Sequence, residues 1–129
     1  MTHGQLSFRL GDLLEAADDE LDSVYTAWRK AVNMSASELQ AWSANPCSRK
    51  ASLDPSAVIK RNLNLLKTPK GQWGAKEVAD AKRTISFIAR MSKMEQGDPV
   101  VKGCPSKRDI SLKNWAFDPN KLGEAQAPG

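Results

Sequence analysis

From Leu10 to Ala31 the apolar residues stand at Leu10, Leu14, Ala17, Leu21, Val24, Trp28 and Ala31, alternating steps of four and three. That spacing lines one side of a helix and predicts an amphipathic first helix over 12–32. Asp12 is the expected N-cap; acids in the first turns suit the positive end of the helix, and Arg29 and Lys30 suit the negative end. A regular 3/4 seam packs either inside the domain or against a second copy of the chain, so a homodimer through this helix is one expectation.

Ser35-Ala36-Ser37-Glu38 has the form of a capping box and opens a short second helix that buries Leu39 and Trp42 and stops near Asn45-Pro46. Asp54-Pro55 starts a third helix, with Val58, Ile59, Leu63 and Leu66 as its buried stripe and Lys60, Asn64 and Lys67 on the other side. Thr68-Pro69-Lys70-Gly71 is turn chemistry. A fourth helix is expected over roughly 75–95, burying Val78, Ala81, Ile85, Ile88 and Met91, with Gly97 at C′. Ser106 and Asp109 cap a short last helix carrying Ile110, Leu112 and Trp115, which Phe117-Asp118-Pro119 ends. No repeat or strand-like alternation interrupts this series. The predicted fold is all-α: a compact single domain of four main helices plus a short C-terminal one. Its expected boundaries are a flexible N-terminus over 1–11, a helical domain over 12–119 (acidic first helix 12–32, basic body 33–119) and a loose tail over 120–129.

At 129 residues, 40% hydrophobic and 26% charged, such a domain buries enough surface to fold without a metal or a cross-link. No apolar run reaches the ~18 residues of a membrane span, and the first residues lack a signal-peptide pattern. The expected setting is therefore cytoplasmic, nucleoid-associated or nuclear if the ligand is DNA, with no membrane partner. There Cys47 and Cys104 are expected as thiols, and a bridge needs their Cα atoms within about 7 Å.

Charge changes the picture more. The net +4 divides into residues 1–28, with six acids against Arg9, and a remainder with 18 bases and nine acids. An acidic segment beside a body of net +9 reads as two faces, or as an acidic shield over a basic surface that steers polyanions. Catalytic chemistry finds little to work with. The single histidine, His3, excludes a Ser-His-Asp or Cys-His site built in the body, and three Cys and His residues fall short of a four-ligand structural zinc. No phosphate-cradling glycine motif occurs. No catalytic residue, metal or cofactor is expected, and the chain reads as a binding protein rather than an enzyme.

Basic dipeptides stand at Arg49-Lys50, Lys60-Arg61, Lys82-Arg83 and Lys107-Arg108. Expected phosphate contacts are Lys60, Arg61, Lys67, Lys82, Arg83, Arg90, Lys107, Arg108 and Lys113, with Ser48, Ser52 and Asn64 as neutral helpers. Against this stands a surface whose bases merely solubilise it. Trp28, Trp42 and Trp115 read as core. Trp73, in the turn Pro69–Gly74, either packs or serves as a stacking platform or partner anchor. Arg49-Lys50-Ala51-Ser52 also has the form of a basic-directed kinase site.

Two stretches carry a resemblance: Val32-Asn33-Met34-Ser35 with Glu38-Leu39 and Trp42, and Ser111-Leu112 with Asn114-Trp115 and Asp118-Pro119. They resemble the opening and closing motifs of a family of small, uncharacterised microbial and fungal proteins described as DNA-binding, with Phe87-Ile88-Ala89-Arg90-Met91 in the middle position. The resemblance covers about residues 29–119. Lys113, Ala116 and Phe117 stand where that family has Met, Gly and His, and Met91 replaces a His, so any role of those histidines is lost here. The resemblance implies DNA rather than RNA as the nucleic acid bound. The rival expectation is a protein-interaction, assembly or inhibitor role on an acidic partner. One contiguous basic face favours nucleic acid; scattered bases with an exposed apolar strip on the first helix favour a protein.

Overall fold

The computed structural model describes residues 19–51 and 54–121. The Asp12 cap, the 1–11 segment, Ser52, His3 and residues 122–129 lie outside the described residues. Five helices follow one another: α1 (19–31), α2 (Ala36–Ser43), α3 (Pro55–Lys67), α4 (Ala75–Met91) and α5 (Lys107–Asn114). Short 3₁₀ turns occupy Pro46–Arg49, Lys70–Gln72 and Pro119–Lys121. Among the described residues there is no strand, only an isolated bridge between Pro99 and Ser106. The fold is all-α.

Local chemistry sets the ends. The Ser35 hydroxyl accepts from the Glu38 N–H, and the Glu38 carboxylate accepts from the Ser35 N–H. Asp54 accepts from the Ala57 N–H with Pro55 in the first turn of α3. Ser106 caps α5 through the Asp109 N–H. α4 stops at Met91, short of the expected end near 95; Ser92 is its C-cap, its N–H and hydroxyl both bonding to the Ile88 carbonyl, and the next N–H groups bond only three residues back. Gly97, at φ +76°, lies in the loop beyond.

Helix α5 is the centre of the domain. It spans only eight residues, too few to hold a helix alone in water. Its Ile110 and Leu112 are wholly buried, and it touches α2, α3 and α4. On the described part of α1, Val24 and Trp28 are buried in the same core, and Leu21 and Ala31 pack against it partly buried.

Two stripes match the expected ones only in part, through Ile59, Ala81 and Ile88. On α3 the buried residues are Ile59, Asn62 and Leu65, and on α4 they are Asp80, Ala81, Thr84 and Ile88. Leu63, Leu66, Val78, Ile85 and Met91 flank the core half-buried. The rotation follows from polar residues that pattern reading assigns to solvent. The Thr84 hydroxyl donates to Asn62 Oδ1 at 2.8 Å, and Asn62 Nδ2 donates to the Val58 carbonyl at 2.9 Å. A satisfied pair can occupy a helix interface that an unsatisfied one could not.

The opening and closing motifs meet. Asn33 Nδ2 donates to the Asp118 carbonyl at 2.9 Å, while its Oδ1 accepts from the Asp118 N–H at 2.6 Å. The Asn33 and Met34 N–H groups both donate to the Ala116 carbonyl, which Ala116 presents at φ +68°. Trp42 Nε1 donates to Asn114 Oδ1, and Asn114 Nδ2 donates to the Ser48 carbonyl. Lys121 reaches the Asn33 carbonyl and the Glu38 carboxylate. Lys121, in the expected tail, is thereby tied to the start of α2.

The cysteines correct an expectation. Cys47 and Cys104 form a disulfide across a Cα–Cα distance of 5.6 Å. Neither spacing nor composition demanded it; the fold brings the Pro46–Arg49 turn against the loop before α5. Among the described residues no helix is long and apolar enough to cross a membrane.

Candidate polyanion-binding groove

The basic residues of α4 are laid out by helical geometry. Arg83, Phe87 and Arg90, spaced by four and three, make one line, and Lys82 and Ser86 make the adjacent one. The C-terminal turn of α5 delivers Trp115 to this face. Together these six residues line a shallow groove of about 390 Å³. Three are cationic and none is acidic.

Aromatic stacking builds its floor. Phe87 stacks on Trp115 at 4.4 Å between ring centres and 15° between planes. From α3, the Arg61 guanidinium carbon lies 5.0 Å from the Trp115 ring centre, and the Arg90 guanidinium lies 5.6 Å from that of Phe87. Rings of this kind hold guanidinium planes by cation–π attraction while leaving their N–H forks available to bond anions. Arg61 Nε is buried and has no hydrogen-bond partner in the protein. Arg61 and Arg90 thus lie against the aromatic pair, whereas Arg83 is largely exposed.

The acidic helix meets the rim. Glu20 of α1 forms an ion pair with Lys82 at 2.6 Å, and Asp22 pairs with Lys70, also at 2.6 Å. Asp80 is buried at the base of α4 and receives Lys76 at 3.1 Å, with Arg83 at 3.8 Å. Part of the positive charge is therefore already answered from within the chain.

The nine expected contacts divide. Arg61, Lys82, Arg83 and Arg90 come together around the Phe87–Trp115 stack. Lys60, next to Arg61 on α3, turns to a different pocket with Arg49. Lys67 and Lys107 are exposed and line neither site. Arg108 is spent internally: its guanidinium pairs with Asp109 at 2.9 Å and donates to the Met94 carbonyl, tying the loop after α4 to α5. Lys113 lies 4.0 Å above the Trp42 ring. Arg108 and Lys113 thus lie away from the groove, each engaged with a neighbouring group of the domain.

Of the two roles open to Trp73, the structure shows the packed one. It is buried, edge-to-face with Tyr25 at 4.9 Å and Trp28 at 5.0 Å, and its Nε1 donates to the Thr68 carbonyl. The aromatic that does reach a basic surface is Trp115, expected in the core, together with Phe87. The available signal was Phe87 itself, an aromatic lying on the Arg83–Arg90 line rather than on the buried stripe of α4.

Among the described residues, two carboxylates are held below their ordinary range, and both serve helix ends: Glu38 through Lys121 and the Ser35 N–H, and Glu77 through the Gly74 N–H and the Asn64 amide. Comparison with family models, with curated proteins and with solved structures finds no match to this chain.

Proposed function

We propose that the protein is a non-enzymatic binding module for nucleic acid, DNA before RNA, and that the groove between α3, α4 and Trp115 is its interface. The observation that carries this reading is the gathering of Arg61, Lys82, Arg83 and Arg90 around a rigid aromatic floor with no acid among its lining residues. Guanidinium forks fit phosphate oxygens bidentately. Because Trp115 is already stacked by Phe87, the module grips backbone phosphates rather than reading bases, so its binding is largely indifferent to sequence. A groove this shallow takes a stretch of backbone, not a buried nucleotide.

An acidic protein segment is the second reading, and the Glu20–Lys82 pair favours it, since that rim already recognises a carboxylate. The disulfide bears on where binding takes place. Such bonds persist in oxidising compartments and are reduced in the cytosol. Neither cysteine lines the groove, so a cytoplasmic or nucleoid setting, with the thiols reduced, leaves the interface residues unchanged.

Fluorescence anisotropy with labelled duplex DNA, single-stranded DNA and polyglutamate at about 50 mM salt separates these readings. DNA binding that polyglutamate fails to inhibit is the expected result. No DNA binding under those conditions overturns the proposal, and preferential capture of polyglutamate moves the assignment to an acidic protein.

A further inference from the structure

A second pocket lies on the other side of α3. It has a volume of about 250 Å³ and is lined by Ser43, Ser48, Arg49, Pro55, Ser56, Ile59, Lys60 and Leu63. Its walls differ in character. Pro55, Ile59 and Leu63 give an apolar floor, while Arg49, Lys60 and three hydroxyls surround it; none of the lining residues is acidic. Lys60 and Arg61 are neighbours in sequence and project about 100° apart on the helix. One dipeptide thus serves two sites, Lys60 this pocket and Arg61 the groove.

We infer that this pocket binds a phosphomonoester, with Arg49 and Lys60 holding the dianion, the serines donating to its oxygens, and a small apolar body resting on Ile59 and Leu63. Three observations beyond charge support this. The Ser48 side chain is almost wholly buried, yet its hydroxyl reaches only the Ser43 carbonyl at 3.5 Å, the outer limit of a hydrogen bond. The turn carrying Ser48 and Arg49 is fixed before any ligand arrives: Cys47 is bridged to Cys104, Asn114 donates to the Ser48 carbonyl, and Asn45 accepts from the Cys47 N–H. A preorganised site spends less of its binding energy on ordering. The volume is below the range of pockets for drug-sized ligands, so it suits a phosphate with a small body inside the pocket. Asp54 works against an anion at the start of α3 by capping the Ala57 N–H, so the two cations and the hydroxyls carry the affinity.

The same chemistry is offered by a free small phosphate ester and by the terminal phosphate of a nucleic-acid strand. The test uses amide NMR on the full chain with phenyl phosphate as probe. Saturable shifts centred on Ser48, Arg49, Ser56 and Lys60 are expected, with a dissociation constant below about 1 mM. The pair R49Q/K60Q, both exposed positions, should weaken binding at least about tenfold, whereas R83A/R90A in the groove should leave it unchanged. Comparing 5′-phosphorylated with 5′-hydroxyl oligonucleotides on the R83A/R90A protein identifies the source: a preference for the phosphorylated end assigns a strand terminus, and no preference assigns a free ester. Absence of saturable shifts at these amides, or shifts that survive R49Q/K60Q, overturns the inference. The groove variant and the pocket variant fail separately, so either site can be lost without the other.

Discussion

Ala116 shows how much a single backbone angle can decide. Its carbonyl receives two N–H groups from the strap after α1 only because the residue adopts φ +68°. An L-residue in that region costs about 1–2 kcal/mol. Ala116→Gly removes the strain, loses a buried methyl and loosens the unfolded chain, and a net gain of about 0.5 kcal/mol is expected in urea unfolding. A loss of stability would show that the methyl matters more than the angle. Trp73 makes the opposite case. Its indole completes the Tyr25–Trp28 cluster, so Trp73→Ala should cost about 3–5 kcal/mol, while Trp73→Phe, which keeps the ring packing, should leave DNA affinity intact. A specific loss of affinity in the Phe variant would restore Trp73 as a contact. From sequence, the loop position of Trp73 admitted both roles. What decided between them was the approach of α1, a long-range event with no local signature.

At the scale of elements, caps were legible and faces were less so. Ser35–Glu38, Asp54-Pro55 and Ser106–Asp109 are read from a few adjacent residues, because capping is local chemistry. The faces of α3 and α4 were rotated in the reading because Asn62 and Thr84 satisfy each other across the interface. Asn62→Ala should then cost about 1 kcal/mol for the lost interhelical bond, since the Thr84 hydroxyl still donates to the Asp80 carbonyl at 3.1 Å, and N62A/T84A should cost less than the two singles together. Strict additivity would contradict the pair. The caps also set an acid response. Glu38 and Glu77 are both held below the ordinary carboxylate value in the fold, so their contribution is present above that value. It is lost as pH falls through the lower folded values. Thermal melts should therefore drop between about pH 5 and pH 3, with a smaller drop in Glu38→Gln. An unchanged drop in that variant would place the response elsewhere.

The whole molecule holds what sequence could not reveal: which residues meet. Cys47 and Cys104 are 57 residues apart, and a loop of that length gives about 4 kcal/mol of cross-link stabilisation in the chain-entropy model. Reduction should lower the unfolding midpoint accordingly, and no change would mean that the cross-link adds nothing to the native state. The same packing sorts the bases, sending Arg61, Lys82, Arg83 and Arg90 to one groove and committing Arg108 and Lys113 to the fold. Composition counted those charges without locating them. Glu20, by pairing with Lys82, tempers the groove, and Glu20→Gln should tighten binding of DNA.

The most direct test is the slope of log affinity for duplex DNA against log salt, measured for the native chain and for R83A/R90A. With at most four groove cations engaged, a native slope no steeper than about −4 is expected, and it should become shallower by about two in the double variant. A slope that is the same in both proteins would contradict the account, because the phosphates would then be held somewhere other than the α4 groove.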